Sequence, residues 1–313
     1  MLRTLMALAT LCAAGTAAQA QLSLTPAGVS RNFAISTFAS GFASSSGIGP
    51  IPIDFQPDGS VLVGTYTDNR IYRFNNTDNQ TVAGTPFLSG YPSSELAHGI
   101  AHWGDRLFVS HYNSQTIDEL NADGSVNHNV ASGLGNARAL LANPANGHLF
   151  TSTVQGVRDV NPNTGIFTTL TTQELDGITI SSDGSVLYGA AISGGLNGHL
   201  VGYNTTTGAV VFDSGFVGGG LDGIAIGYGL RAGYIYGNSN NGTVVEINLA
   251  TLAQVTIASG GSRGDFVSSD PSGSGDLLLT QTDRIIRLSG IPTPGTAALL
   301  GLAGLVATRR RRA

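Results

Sequence analysis

The chain has 313 residues and a formal net charge of −5, and 11% of its residues are charged. It contains no lysine, and its 44 glycines with abundant Ser, Thr and Asn favour turns and strands over a helical bundle. Between residues 21 and 290 ten arginines face 20 acidic residues, a formal charge of −10 that argues against a nucleic-acid partner. The hydrophobic content of 41% is enough for a sizeable core and argues against disorder.

The N-terminus has the three parts of a secretory signal peptide. Arg3 gives a positive start, an apolar run covers residues 5–14, and Ala18-Gln19-Ala20 forms a small-residue exit. We therefore expect residues 1–20 to be a signal peptide that is cleaved after Ala20. The single cysteine of the chain, Cys12, lies inside this segment, so the exported protein is expected to have no disulfide and no thiol chemistry.

A unit of strand, Gly-containing turn, strand, turn and strand recurs between the two ends of the chain. Its starts are 38 to 46 residues apart, which is the spacing of propeller blades. Pairs such as Asp58-Gly59 and Asp183-Gly184 supply the positive φ that tight hairpins need. The six units begin at Pro52, His98, Arg138, Asp176, Asp222 and Gly264.

A mismatch between the first and last units predicts how the ring closes. The first five units are each followed by a fourth apolar segment, such as Thr81 to Leu88 after the first, but the last unit has none. A matching segment, Asn32 to Ala39, stands unassigned near the N-terminus. We predict that it is the outer strand of the blade whose other strands end at Leu288, because closure leaves no exposed sheet edge. The predicted fold is an all-β, six-bladed propeller over residues 21–290, with four antiparallel strands per blade.

The repeated [H/D]-G-I starts and the final stretch DLLLTQTDRIIRL resemble the six-bladed propellers of the SMP-30/gluconolactonase, NHL and streptogramin-lyase-like group. The resemblance covers about 260 residues, and its motifs are structural ones that recur in propellers with unrelated activities. It therefore implies the fold and leaves the reaction open.

The innermost strands of a propeller surround a central channel, and we expect the unit starts to converge on its mouth. Oxygen donors there suit calcium or another divalent cation, and histidine widens the choice of metal. The alternative is that each Asp-Gly pair fixes its own turn by hydrogen-bonding to the backbone. The predicted ligand-binding residues are Asp54, His98, Arg138, Asp176, Asp222 and Asp265. The four aspartates among them, Asp54, Asp176, Asp222 and Asp265, are the candidate metal ligands.

The resembled lactonases are metal-dependent and use a cluster of carboxylates and asparagines at this place. No Glu or Asn stands at the matching starts, and Arg138 adds a positive charge, which counts against lactone hydrolysis. The lyases of the group depend on a late His, yet no His follows His199. We therefore expect a binding or structural module whose partner is a surface polysaccharide or a small polar ligand. The alternative is a metal-dependent, lactonase-like hydrolase with an acidic site at the channel mouth.

Three histidines and the single tryptophan lie close together in the second unit. On strands and a turn, His98, His102 and His111 would point in different directions, and we expect them to be solvated. Trp103 is expected to be a core or blade-edge residue. Neither prediction assigns these residues to a site.

The C-terminus has a short proline motif, an apolar run over residues 296–308 and an arginine cluster. This order resembles the PEP-CTERM sorting signal, although Thr293 stands where Glu is usual. The resemblance implies that residues 291–313 form a sorting tail, that an exosortase-type enzyme at the inner membrane processes it, and that the protein reaches the envelope, cell surface or matrix. The alternative is a permanent membrane helix, for which the run is shorter than the roughly 20 residues that span a bilayer. The tail residues are Pro292, Thr293, Pro294, Gly295, Arg309, Arg310, Arg311 and Arg312.

Overall fold

The computed structural model describes residues 21–89, 91, 97–218 and 220–290, with the backbone alone at 97 and 98. The predicted signal peptide, residues 1–20, and the predicted tail, residues 291–313, lie outside the described residues. No helix in the described part of the chain is long and apolar enough to cross a bilayer.

A short strand, one turn of helix and a long strand precede the repeated units: β1 (Ser23–Leu24), α1 (Pro26–Ser30) and β2 (Phe33–Ser40). The helix starts at this point because the Thr25 side chain accepts a hydrogen bond from the Gly28 amide and Pro26 occupies the first helical position. Strand β1 then pairs with the edge of the fifth blade, with Ser23 opposite Ser259.

Within residues 21–290 the repeated units form six sheets. Blade 1 consists of β3 (Pro50–Phe55), β4 (Val61–Thr65) and β5 (Ile71–Phe74), followed by the short strand β6 (Gln80–Thr81). Blade 2 consists of β7 (Ala97–Trp103), β8 (Arg106–His111), β9 (Thr116–Leu120) and β10 (Val126–Ala131). Blade 3 consists of β11 (Ala137–Ala142), β12 (Leu149–Thr153), β13 (Gly156–Val160) and β14 (Phe167–Thr171).

The second half of the ring repeats this plan. Blade 4 consists of β15 (Leu175–Ile180), β16 (Val186–Ala191), β17 (His199–Asn204) and β18 (Val210–Phe216). Blade 5 consists of β19 (Leu221–Ile226), β20 (Tyr234–Ser239), β21 (Val244–Asn248) and β22 (Gln254–Ser259). Blade 6 contains β23 (Val267–Ser269), β24 (Leu277–Gln281) and β25 (Arg284–Gly290). Short 3-10 turns cover Gly194–Leu196 and Gly229–Arg231.

The predicted closure of the ring is confirmed. Strand β2 pairs antiparallel with β25, from Phe33 opposite Gly290 to Ser40 opposite Arg284. The sheet order β23-β24-β25-β2 makes the N-terminal strand the fourth strand of blade 6. The fold is the predicted all-β, six-bladed propeller with antiparallel blades.

The outer edge of blade 1 differs in detail from the prediction. In place of a strand over residues 81–88, β6 pairs in parallel with β2 at the edge of blade 6, and Leu88 makes a single bridge to Ile71. Gly84, with a φ of +79°, and Pro86 lie between these two contacts and prevent a continuous ladder. The segment thereby contacts both the first and the last blade.

The core is divided into six apolar clusters in the described residues, and each cluster is shared by two neighbouring blades. Second strands are buried on both faces, as in Val61-Leu62-Val63, whose side chains are fully buried. The inner strands β3, β7, β11, β15, β19 and β23 contact one another in that order around the channel. The blades therefore hold the ends of the inner strands in fixed positions around the two mouths of the channel.

Candidate functional site: an acidic cavity at one mouth of the channel

A cavity of about 280 Å³ lies at the end of the channel where the inner strands begin. It collects four of the six predicted residues, and tyrosines and isoleucines from the blade 1 and blade 2 side complete its wall. The predicted residues that line it are Arg138, Asp176, Asp222 and Asp265, and the others include Ile48, Ile51, Tyr66, Tyr112 and Arg263.

The glycine of each Asp-Gly start explains why the acids come together. A Cβ at Gly177 would lie 2.4 Å from the Asp222 carbonyl oxygen, and one at Gly223 would lie 2.4 Å from the Phe266 Cα. Only glycine permits this approach of neighbouring inner strands. The aspartates that precede these glycines are thereby placed side by side in adjacent blades.

Asp222 lies between two other carboxyl groups, because its side chain is in hydrogen-bond contact with those of Asp176 and Asp265. Burial raises the pKa of Asp222 well above its ordinary value, and the negative charges of Asp176 and Asp265 raise it further. Burial also raises the pKa of Asp176, which the positive charge of Arg138 partly offsets. The raised pKa favours the protonated form of Asp222, so the cavity brings a candidate acid next to two other carboxyl groups.

Two arginines bring positive charge to the same cavity. Arg263 donates from Nε to Oδ1 of Asp265 over 2.6 Å, and Arg138 forms an ion pair from Nη2 to Oε1 of Glu174 over 2.8 Å. The Arg138 Nη1 is buried and has no hydrogen-bond partner among the described residues. Since a buried N–H without a partner costs free energy, this atom is a donor that a ligand could satisfy.

The residues present do not fit the predicted metal ion. Asp54 is not in this cavity, and Asp265 is bound to Arg263. In the part of the chain that the structure describes, no three His, Cys, Asp or Glu side chains are arranged to hold a metal. The guanidinium groups supply the positive charge that a cation would bring to such a set of carboxylates.

We expect titration calorimetry with calcium and with zinc to give no saturable heat at millimolar concentration. The reason is that Arg263 already pairs with Asp265 and that burial raises the pKa of Asp176 and Asp222, which disfavours the ionised form that a cation needs. The matched control is the Asp176→Asn, Asp222→Asn double variant, which should behave as the unmodified protein does. Saturable binding that disappears in the double variant would contradict this assignment.

The structure places Asp54 away from the other predicted residues. In blade 1, Asp54 pairs opposite Leu62. The equivalent pair in blade 4 is Thr179 opposite Tyr188. Asp54 therefore lies three residues further along its strand than Asp176 does. Ile51 occupies the level of the aspartates in blade 1 and lines the acidic cavity in place of Asp54. The misplacement arises because Pro52 stands where the starts of blades 2 to 5 have Gly or Ala, so the sequence pattern of blade 1 is lost.

The histidines of blade 2 also differ from the prediction. His98 lies in β7, but its side chain is outside the described residues. His102 contacts Asp54, with 2.8 Å between Nδ1 and Oδ2, and the His111 side chain is buried with Nε2 3.4 Å from Oδ2 of Asp118. The expectation of solvated histidines is therefore wrong for His102 and His111, because each has a carboxylate partner on a neighbouring strand.

Sequence reasoning missed three residues of the cavity: Arg263, Tyr66 and Tyr112. Tyr66 and Tyr112 both follow the second strand of their blades directly, so aligning the ends of β4 and β8 could have found them. Arg263 lies in a loop with no counterpart in the other units, and the only signal was its position two residues before Asp265.

The comparisons with known proteins identify the fold. No family model matches the chain, and no curated protein matches it. One solved structure that it resembles is a gluconolactonase from Xanthomonas campestris, described as important in glucose secondary metabolic pathways. The TM-score is 0.65 at 13% sequence identity, over 87% of this chain and 96% of the other. At this identity the likeness shows the propeller fold alone.

Proposed function

We propose that the acidic cavity binds a small polar lactone and hydrolyses it without a metal ion. The observation that carries the proposal is the proximity of a buried cluster of carboxyl groups with raised pKa values to a guanidinium N–H that has no partner among the described residues. Such a site has an acid, a base and a donor for a developing oxyanion in one cavity. The structural neighbour, a gluconolactonase, supports lactones as the substrate class.

The proposed reaction is an acyl transfer to water. The Asp176 carboxylate accepts a proton from water, whose oxygen attacks the lactone carbonyl carbon. The Arg138 Nη1 donates to the carbonyl oxygen as negative charge develops there. The ring C–O bond then breaks, Asp222 donates its proton to the leaving ring oxygen, and the product is the open hydroxy acid. The proton on Asp176 returns to Asp222 through their hydrogen-bond contact, which restores the site.

In the proposed mechanism, the positive charge of Arg138 supports hydrolysis and does not argue against it. A guanidinium in the cavity counts against a metal ion, since like charges repel, but it does not count against hydrolysis. Because Glu174 holds Nη2 at 2.8 Å, the guanidinium is fixed in place before any substrate arrives. Preorganised donors of this kind stabilise a transition state without reorganisation during the reaction.

The test is turnover of a panel of sugar-acid and aliphatic lactones by the purified protein, followed as acid release at constant pH. We expect a rate above spontaneous opening for at least one polar lactone, and we expect it to persist in excess chelator. The matched control is Asp183→Asn, which changes an exposed hairpin aspartate. Spontaneous rates across the panel would overturn hydrolysis, and saturable binding of the open hydroxy acid would then favour a binding module for small polar ligands or surface polysaccharide.

We also propose that the protein is exported and that an exosortase-type enzyme processes its tail. Support comes from the Ala18-Gln19-Ala20 exit and from the order of proline motif, apolar run and Arg309 to Arg312. Intact-mass measurement of protein from the envelope fraction of its own cells should show the loss of residues 1–20 and of the C-terminal tail. A full-length mass, or a mass that retains residues 291–313, would contradict export or processing respectively.

A further inference from the structure

A second cavity of about 400 Å³ lies at the opposite mouth of the channel, where the inner strands end. Its wall is mainly aliphatic and aromatic, with contributions from all six inner strands. Among the residues that line it, Asp54, His102 and Tyr228 are the titratable ones. The apolar lining includes Ile100, Leu141, Ile180, Ile226, Phe266 and Val267.

Asp54 and His102 form a hydrogen-bonded pair in the wall of this cavity. Asp54 Oδ2 lies 2.8 Å from Nδ1 of His102, and Gln56 donates a further hydrogen bond to the same carboxylate oxygen. The contact with Asp54 fixes the imidazole ring through Nδ1 and raises the pKa of His102. The other ring nitrogen, Nε2, makes no hydrogen bond to the described residues. When the imidazole is protonated on both nitrogens, Nε2 is a donor that a ligand can satisfy.

A second polar group lies at the same level in blade 6, which is separated from blade 2 by blade 1. Ser269 is opposite Leu277, as His102 is opposite Leu107, and both residues line the cavity. The Ser269 side chain is more than nine-tenths buried, and its hydroxyl has no hydrogen-bond partner among the described residues. A buried hydroxyl without a partner is costly in a protein that has no ligand for it.

We propose that this second cavity binds a small neutral carbonyl compound with an apolar chain, whose carbonyl oxygen accepts a hydrogen bond from His102. Most of the residues that line the cavity are aliphatic or aromatic, which favours a ligand with an apolar body. A carboxylate ligand would place a second acidic group beside Asp54 in a cavity lined mainly by apolar residues, where two neighbouring negative charges repel. A neutral ester or ketone satisfies the donor without that cost.

The single tryptophan of the chain provides a direct readout, because Trp103 lines this cavity and not the acidic one. Its side chain is 37% exposed, and its ring packs against Gly147 at the rim. Methyl hexanoate added to the purified protein should therefore change the tryptophan fluorescence saturably. Hexanoate at neutral pH should bind at least about tenfold more weakly, since a carboxylate adds a second negative charge beside Asp54.

Two variants distinguish binding in this cavity from other causes of a change in tryptophan fluorescence. His102→Phe removes the donor and should weaken methyl hexanoate binding about tenfold. Ala142→Phe fills the cavity, leaves the Asp54–His102 contact in place and should abolish the signal even if the first variant is poorly folded. Asp176→Asn, in the opposite cavity, should leave the affinity unchanged.

An unsaturable fluorescence response, equal affinities for the ester and the acid, or full binding in Ala142→Phe would each overturn the proposal. None of these results depends on turnover at the acidic cavity. The two cavities are therefore tested separately.

Discussion

Replacing Asp222 with asparagine is expected to lower kcat for lactone hydrolysis by about 10²–10⁴-fold, the usual contribution of a general acid. The amide keeps the size of the side chain and its place between Asp176 and Asp265 but has no acidic proton to give to the leaving oxygen. Initial rates on the best lactone of the panel would measure the effect. A loss of less than threefold would show that Asp222 is not the acid.

The same variant separates a catalytic role from a structural one through its stability. In the folded protein the pKa of Asp222 is raised by burial and by its two carboxyl neighbours, so ionisation is disfavoured there relative to the unfolded chain. The contribution of Asp222 to the free energy of unfolding is therefore complete at low pH and is lost as the pH rises through its raised pKa in the folded protein. Asp222→Asn cannot ionise at this position. At neutral pH its free energy of unfolding should therefore equal that of the unmodified protein or exceed it by about 1 kcal/mol, while its activity is lost. A lower melting temperature would indicate damage to the fold.

The proposed mechanism also predicts how turnover by the unmodified protein depends on pH. Turnover should fall as pH rises through the raised pKa of Asp222, because the acid is then deprotonated. It should also fall as pH drops through the pKa of Asp176, because the base is then protonated. The high-pH limb should be absent in Asp222→Asn.

Truncating Phe38 to alanine is expected to destabilise the protein by about 3–5 kcal/mol. Phe38 is fully buried in β2, its ring centroid lies 5.9 Å from that of Phe74 in blade 1, and the Arg287 guanidinium of blade 6 lies 5.2 Å from it. One side chain therefore joins the first blade to the last, and its loss leaves a cavity at the place where the ring closes. Urea unfolding followed by circular dichroism measures the change.

A matched control uses an aromatic residue at the outside of a blade. Phe216 lies at the end of β18 and is 65% exposed, so Phe216→Ala should cost less than about 0.5 kcal/mol. If both variants unfolded at the same urea concentration, the seam between blades 6 and 1 would not limit the stability of the ring.

The parts of the fold that follow from the number and spacing of the repeated units could be predicted from the sequence. The missing fourth strand of the last unit and the spare segment at Asn32 to Ala39 predicted the pairing of β2 with β25, because a closed ring leaves no strand unpaired. Asp176 and Asp222 were found because each stands before a glycine that its position requires. Both features were found by comparing the repeated units with one another.

The parts that depend on contacts between blades could not be predicted. Asp54 was given the wrong level in blade 1, since Pro52 stands where blades 2, 4 and 5 have the glycine that marks the register. Its contact with His102 joins two residues 48 apart on different blades, and no local pattern connects them. Arg263 was missed because loop residues do not repeat. Side-chain partners across blades depend on three-dimensional packing that a periodic pattern does not record.

The pairing of β2 with β25 sets the order in which the molecule can be completed. The strand that closes the ring is among the first residues made, and its partner, Arg284–Gly290, is among the last of the described chain. Each apolar cluster is shared by two blades, so a chain that lacks its final blade leaves two clusters half-covered. If the chain crosses a membrane unfolded and with its N-terminus first, the ring can close only after β25 has crossed.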